Sequence, residues 1–253
     1  MTALQKLLRL WRKYRKKAMN SSMNPNSELS RFIVNGPDAV SVPESLIHVG
    51  RQFQQIMMMY TCAIREVRTK LEVLNDELSI RNQRNPIEMI KARVKKPESI
   101  VEKLHRRGFP ITLESVVNNL DDVAGIRVIC SFVDDIYEVA DMLIRQDDVH
   151  VIAIKDYIKN PKENGYRSYH MIIEVPVFFS DRKKNMRVEV QIRTIAMDFW
   201  ASLDHQLKYK KKVSDDLDIS ERLKHCADVI AQTDVMMLDI RKQIEAQGVA
   251  VRE

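Results

Sequence analysis

Two short segments concentrate residue types that bind phosphates and metal ions: Gly165-Tyr-Arg-Ser-Tyr-His170 and Glu189-Val-Gln-Ile-Arg-Thr194. Around the second, Met186, Val188, Val190 and Ile192 alternate with Arg187, Glu189, Gln191 and Arg193. That period of two predicts a strand with one face in the core. The other face presents a carboxylate, an amide and a guanidinium in a row. These suit, in turn, a Mg²⁺ ion or general base, a base edge or sugar, and a phosphate. A half-exposed strand with a solvated charged face accounts for the same pattern.

Phosphates would have to be held by side chains. The chain has six glycines, none in a GxxxxGK[ST] or GxGxxG arrangement that cradles phosphate with backbone amides. The basic cluster Lys91, Arg93, Lys95, Lys96, Lys103, Arg106 and Arg107 supplies candidates, and a solvated helix face is its plain alternative. Asp121 and Asp122 precede a strand that begins near Gly125 and Arg127. Such acids are commonly turn residues. A carboxylate there and Glu189 on another strand can also share Mg²⁺, which needs one or two protein carboxylates when substrate phosphates complete the octahedron. Glu189 can alternatively accept a hydroxyl proton. The polar loop Asp156 to Tyr166 adds Lys159 and Lys162 for phosphate and Tyr157 and Tyr166 for stacking on a base. His170 and His205 suit phosphate or a polar network.

The elements that must position these residues alternate in type. A long helix is expected from Pro43 to about Ile80, with Phe53, Met57, Tyr60, Ile64, Val67, Leu71, Leu74 and Leu78 at heptad spacing. A second seam runs through Leu223, Cys226, Ile230, Thr233, Met237, Ile240 and Ile244. Each seam packs on its own subunit or joins copies of the chain. Met57 to Met59, Met236 and Met237 read as core filler. Between the helices, a strand or turn is expected at 86–95, strands at 126–132, 149–155, 171–178 and 186–193, and helices at 97–107 and 136–145. The Ser180 to Asn185 turn implies an antiparallel pair within a mixed α/β sheet.

Of 41 Lys and Arg, seven lie in residues 1–27, where there is no acid; the rest of the chain carries 34 basic and 35 acidic residues. The net charge of +6 is therefore a tail property, and no DNA partner is expected. Leu4, Leu7, Leu8 and Trp11 make the tail an amphipathic helix suited to RNA, an anionic membrane surface or the protein's own body. Cys62, Cys130 and Cys226, far apart and without zinc spacing, read as reduced core residues. With no apolar run of about 20 residues, a cytoplasmic location is expected. The division is a tail and linker over 1–42, a helix over 43–84, a core over 85–212 and a C-terminal helix over 213–253.

Taken together, the core resembles the synthetase domain of the RelA/SpoT family. The resemblance rests on Ala92-Arg-Val-Lys-Lys-Pro-Glu-Ser-Ile100, Asp122-Val-Ala-Gly-Ile-Arg127, Lys155 to His170 and Glu189 to His205. It implies a nucleotidyltransferase-like mixed sheet flanked by helices. It also implies transfer of the β,γ-pyrophosphate of ATP to the 3′-hydroxyl of GDP or GTP, with release of AMP. Arg93, Lys95, Arg106 and Arg127 would then serve ATP, and Tyr166, Lys162, His170 and Gln191 the guanosine acceptor. Asp122 and Glu189 would hold Mg²⁺, Glu189 alternatively acting as base, and Asp122, Glu189 and Arg127 would form the catalytic set. The chain has no His-Asp dipeptide and is too short for the hydrolase and regulatory domains of long members, so it resembles the small alarmone synthetases, whose members form homotetramers. Alternatives are a toxin-like pyrophosphokinase acting on adenine nucleotides or the tRNA 3′ end, and a non-catalytic nucleotide or RNA sensor.

Two departures matter. The element linked to acceptor preference reads Ala153-Ile-Lys-Asp156 and lacks the family's first charged residue, which leaves GDP against GTP open. Met89 and Asp198 stand where the subgroup regulated by pppGpp has an aromatic residue and an asparagine, which argues against that control here.

Overall fold

The computed structural model describes residues 2–6, 9, 44–82, 84–210 and 217–247. Five strands form one sheet: β1 (Ile87–Val94), β2 (Ala124–Cys130), β3 (His150–Asp156), β4 (Tyr169–Phe178) and β5 (Lys183–Thr194), in the order β1-β2-β5-β4-β3. β5 runs parallel to β2 and antiparallel to β4, and both edge pairs are antiparallel. This is the expected mixed α/β sheet. The helices are α1 (Glu44–Asn82), α2 (Pro97–Arg106), α3 (Leu113–Asn119), α4 (Val133–Ile144), α5 (Ile195–Lys210) and α6 (Leu217–Ala246). Among the described residues no helix is long and apolar enough to cross a membrane.

Alternation in β5 sends Met186, Val188, Val190 and Ile192 into the core, where α1 packs across β1, β2, β4 and β5. All eight residues of the α1 seam, from Phe53 to Leu78, are buried there. The seam therefore belongs to the chain's own sheet rather than to a partner.

The α6 seam does the opposite. The buried positions of α6 are Ala227, Asp234 and Arg241, seven residues apart; of the seam itself, Leu223, Ile230 and Ile244 are half-buried and Cys226, Thr233, Met237 and Ile240 are exposed. Polar contacts dock α6 beside the apolar patch of Met197, Trp200, Ala227 and Ile230. Thr194 Oγ1 donates to Asp234 Oδ2 at 2.8 Å, Trp200 Nε1 donates to the Leu223 carbonyl at 2.9 Å, and Arg241 pairs with Asp134. Gly165, at φ +85°, lies so close to α6 that a Cβ would come within 2.5 Å of Ala227 Cβ. The outward turn of the stripe also corrects the core assignment for Cys226, Met236 and Met237; Met58 on α1 is exposed as well.

Several boundaries move for local reasons. The Phe132 amide donates to Asp135 Oδ2 at 3.1 Å, which ends β2 at Cys130 and starts α4 at Val133. The Phe179 amide donates to the Arg182 carbonyl at 2.8 Å, so the hairpin is tighter than the polar run suggests and β5 begins at Lys183. α3 is capped by Thr112, whose Oγ1 accepts from the Ser115 amide. Thr194 caps α5 by accepting from the Met197 amide at 3.0 Å. Neither helix has a clear apolar period of its own. At the N-terminus, Leu4 is buried and Thr2 Oγ1 donates to the Ile111 carbonyl at 2.8 Å, so the first residues of the tail dock on the body. Leu7, Leu8, Trp11 and the linker lie outside the described residues.

Leu71→Ala should destabilise the fold by about 2–5 kcal/mol, as full truncation in a packed core does, measured by urea denaturation. A second expectation concerns Asp234, whose carboxyl is pushed up by burial, against smaller opposing effects from Thr194 and Arg167. A raised carboxyl contributes stability fully below its unfolded pKa of about 4 and loses it as pH rises through the folded value. Asp234→Asn, which still offers Thr194 an oxygen, should therefore be more stable than the parent at pH 7. That advantage should vanish below about pH 4.

Candidate active site

Strand register assembles the site. Lys91, Arg127, Gln191, His170 and Lys155 are successive neighbours in one row across all five strands. Two residues along, Arg93, Gly125, Glu189, Ile172 and Ala153 form the next row. With a side-chain period of two, both rows share the face opposite the core. Gly125 leaves the space between Arg93 and Glu189 open, since a Cβ there would meet only the Arg93 carbonyl, at 3.8 Å.

Three cavities open on this face. The first, about 330 Å³, is lined by Lys91, Arg93, Lys95, Asp122, Gly125, Arg127, Glu189 and Gln191. The second, about 620 Å³, shares Arg93 and Arg127 and adds Tyr166, Arg193 and the α5 residues Asp204 and His205. The third, about 180 Å³, is lined by Lys155, Tyr157, Lys162 and His170, and again by Glu189. Glu189 is thus the wall between a cavity rich in cations and a cavity built from aromatic and basic side chains.

Each carboxylate has a distinct environment. Asp122 Oδ2 accepts from Lys95 Nζ at 2.7 Å and Lys103 Nζ at 2.5 Å, while Oδ1 is buried and receives no hydrogen bond. Burial pushes its carboxyl up, but Lys103 and Lys95 outweigh that and hold it below the ordinary range. For Glu189, burial is likewise outweighed, here by His170 and Gln191, and the carboxyl stays low. Burial also keeps His170 below the ordinary imidazole value, only partly offset by Glu189. Asp198, in the first turn of α5, meets Arg127 Nη1 at 3.1 Å, Arg193 Nη1 at 3.2 Å and Lys91 Nζ at 3.3 Å. It compensates three cations on three strands.

Most of the expected site residues come together. Arg93, Lys95, Asp122, Arg127, Glu189 and Gln191 line the first cavity, and Tyr166, Lys162 and His170 the other two. Lys162 Nζ lies 4.8 Å and the Arg193 guanidinium 5.0 Å from the Tyr166 ring centroid, so cations already attend the expected stacking residue. Arg106 differs. It is exposed at the end of α2 and lines none of these cavities, whereas Lys103 on the same helix reaches Asp122. The sequence offers the Arg193 guanidinium to a phosphate, whereas the structure buries it against Asp198. The organising role of Asp198 is not visible in the sequence, because it sits on a helix that periodicity does not announce.

Among the described residues no group of three or more His, Cys, Asp or Glu is clustered as a protein-only metal cage would be. Two carboxylates on one cavity wall, one with a buried oxygen that accepts no hydrogen bond, nevertheless fit a Mg²⁺ ion that takes its remaining ligands from phosphates and water.

Residues 92–214 match the region found in RelA / SpoT proteins. The chain is 40% identical over 207 residues to the GTP pyrophosphokinase YwaC of Bacillus subtilis, covering 82% of this chain and 99% of that protein. It belongs to the RelA/SpoT family, among the small alarmone synthetases. Small alarmone synthetase 1 of Bacillus subtilis, solved bound to its product pppGpp, superposes with a TM-score of 0.71 at 35% identity, covering 77% of this chain and 99% of that one. The same protein bound to AMPCPP gives 0.66 at 33% identity, covering 78% and 99%. The likeness to YwaC spans more than the 85–212 core, so this synthetase shares part of its flanking segments with that relative.

Asp198→Ala should leave Arg193, which is 3% exposed, without its carboxylate. The expected loss is about 3 kcal/mol, as for a broken buried ion pair, read by urea denaturation.

Proposed function

We propose that the chain binds ATP in the cation-lined cavities and a guanosine nucleotide in the cavity beyond Glu189, and transfers pyrophosphate between them. The chain is a GTP pyrophosphokinase. The observation that carries this reading is the position of Glu189 as the wall common to the first and third cavities. A general base has to reach the acceptor hydroxyl while the phosphate under attack lies on its other side.

Arg93, Lys95 and Arg127 neutralise the triphosphate, with four cations set against two carboxylates around the first cavity. Gly125 lets the phosphates approach the sheet. Glu189 takes the proton of the 3′-hydroxyl, the oxygen bonds to the β-phosphorus, and the bond from that phosphorus to the bridging oxygen of the α-phosphate breaks, releasing AMP. Lys162 and Lys155 attend the acceptor's phosphates, and Tyr166, which lines the second cavity but lies beside Lys162 and His170, offers its ring to the guanine. Mg²⁺ held by Asp122 and Glu189 would supply further charge neutralisation on the transferred group. The exposed stripe of Val229, Met236, Met237 and Ile240 on α6 supports a homo-oligomer, with a tetramer as the expected form. A cytoplasmic setting follows from the nucleotide substrates.

The test incubates the full chain and Mg²⁺ with γ-labelled ATP and, separately, GDP, GTP, AMP and tRNA. Label is expected in the guanosine product. Label found only in an adenosine product or tRNA would favour the toxin-like reading, and no transfer would favour a sensor. Glu189→Gln and Asp122→Asn should each abolish transfer with the circular dichroism spectrum unchanged; full turnover by either would refute its role.

A further inference from the structure

Five side chains, Glu189 among them, form a closed ring, and the chemistry of one member gives it a direction. Arg193 is 3% exposed and can only donate. Its Nε donates to Ser168 Oγ at 3.2 Å and Nη1 to Asp198 Oδ1 at 3.2 Å. Its Nη2 serves two acceptors, Gln191 Oε1 at 3.0 Å and the Tyr166 hydroxyl oxygen. Four of its five N–H groups are thus committed, and the guanidinium is pinned by a strand, a loop and a helix.

One arm runs through Gln191. Because Arg193 presents a donor, the amide must turn its oxygen toward it, and Nε2 then donates to Glu189 Oε2 at 2.9 Å. The other arm runs through Tyr166. Its hydroxyl oxygen already accepts from Arg193, and it lies 2.8 Å from His170 Nε2. With that oxygen taken by Arg193, the arrangement that also uses the hydroxyl proton points it to Nε2 as the unprotonated ring nitrogen. The imidazole proton is left on Nδ1, which faces Glu189 Oε1 at 3.5 Å. A lone pair at Nδ1 would oppose a carboxylate oxygen; a proton there makes the approach attractive.

We propose that Arg193 is a positioning residue that orients Glu189 from two sides. It sets the amide of Gln191 directly and the Nδ1–H tautomer of His170 through the Tyr166 hydroxyl, so that each oxygen of Glu189 faces one N–H. Tyr166 thereby has a second task, carried by its hydroxyl rather than its ring. A carboxylate bonded at one oxygen and faced by an N–H at the other keeps a fixed plane and a defined free lone pair for its reaction partner. The catalytic consequence rests on the pyrophosphokinase reading, whereas the tautomer does not.

The test is long-range ¹⁵N–¹H correlation of the imidazoles in full-length protein labelled at histidine, with His170 assigned by its loss in His170→Gln. The parent should show a protonated Nδ1 and a bare Nε2. Tyr166→Phe keeps the ring and removes the hydroxyl; it should shift His170 toward the Nε2–H form. Arg193→Lys should shift it in the same way, and if that variant does not fold, Tyr166→Phe still decides the point. In the transfer assay Tyr166→Phe should lower kcat by about 10- to 100-fold, the range for lost supporting contacts, with the acceptor KM changed far less. An Nε2–H tautomer in the parent, or an unchanged tautomer in Tyr166→Phe, would overturn the proposal whether or not the protein transfers pyrophosphate. A kcat loss matched by an equal rise in KM would assign the hydroxyl to binding and overturn the positioning role.

Discussion

The register of β5 between β2 and β4 is the constraint on which the site depends. Glu189, Gln191 and Arg193 occupy alternate positions of a strand whose other positions are Val188, Val190 and Ile192, all fully buried. A slip of one residue would exchange the two sets, placing a carboxylate, an amide and a guanidinium against α1 and three branched aliphatic side chains in the cleft. Hydrophobic burial on one face therefore enforces the order of charges on the other. The same register sets Gly125 beside Glu189 and Arg127 beside Gln191. The open floor and its cations come from one pairing.

Collecting so many cations on one face raises a problem that the fold answers with carboxylates. Asp122 draws in Lys95 and Lys103, and Asp198 draws in Lys91, Arg127 and Arg193. Neither cancels the charge of the first cavity, where four cations face two carboxylates, and that surplus suits a polyphosphate. The carboxylates instead hold the cationic side chains apart and aimed. α5 and α6 extend the same frame. Thr194 ends β5, caps α5 and bonds to α6 within one residue of Arg193, so the helices and the polar ring share a single anchor.

Much of this arrangement is legible in the sequence alone. Alternation in β5 is a local signal, and it predicted the core face and the polar face residue by residue. The α1 seam was legible as apolar spacing, though spacing alone does not say what covers it. The sheet covers α1, while the same kind of seam on α6 faces outward because Asp234 and Arg241 carry its docking. That distinction depends on partners distant in sequence, as does the role of Asp198, whose helix lacks a clean apolar period. Arg106 and Lys103 show the limit in miniature. Both are basic residues of one short helix, and only the turn of α2 relative to Asp122 decides which reaches the site.

The most direct measurement is the identity and stoichiometry of the second product when ATP and a guanosine nucleotide react on the protein. ³¹P spectra of the reaction mixture distinguish AMP from ADP and show how many phosphates the 3′-oxygen carries. Pyrophosphate transfer across Glu189 predicts one AMP for each guanosine product, with two linked phosphates on the 3′-oxygen. ADP with a 3′-monophosphate, or ADP with free phosphate, would contradict it.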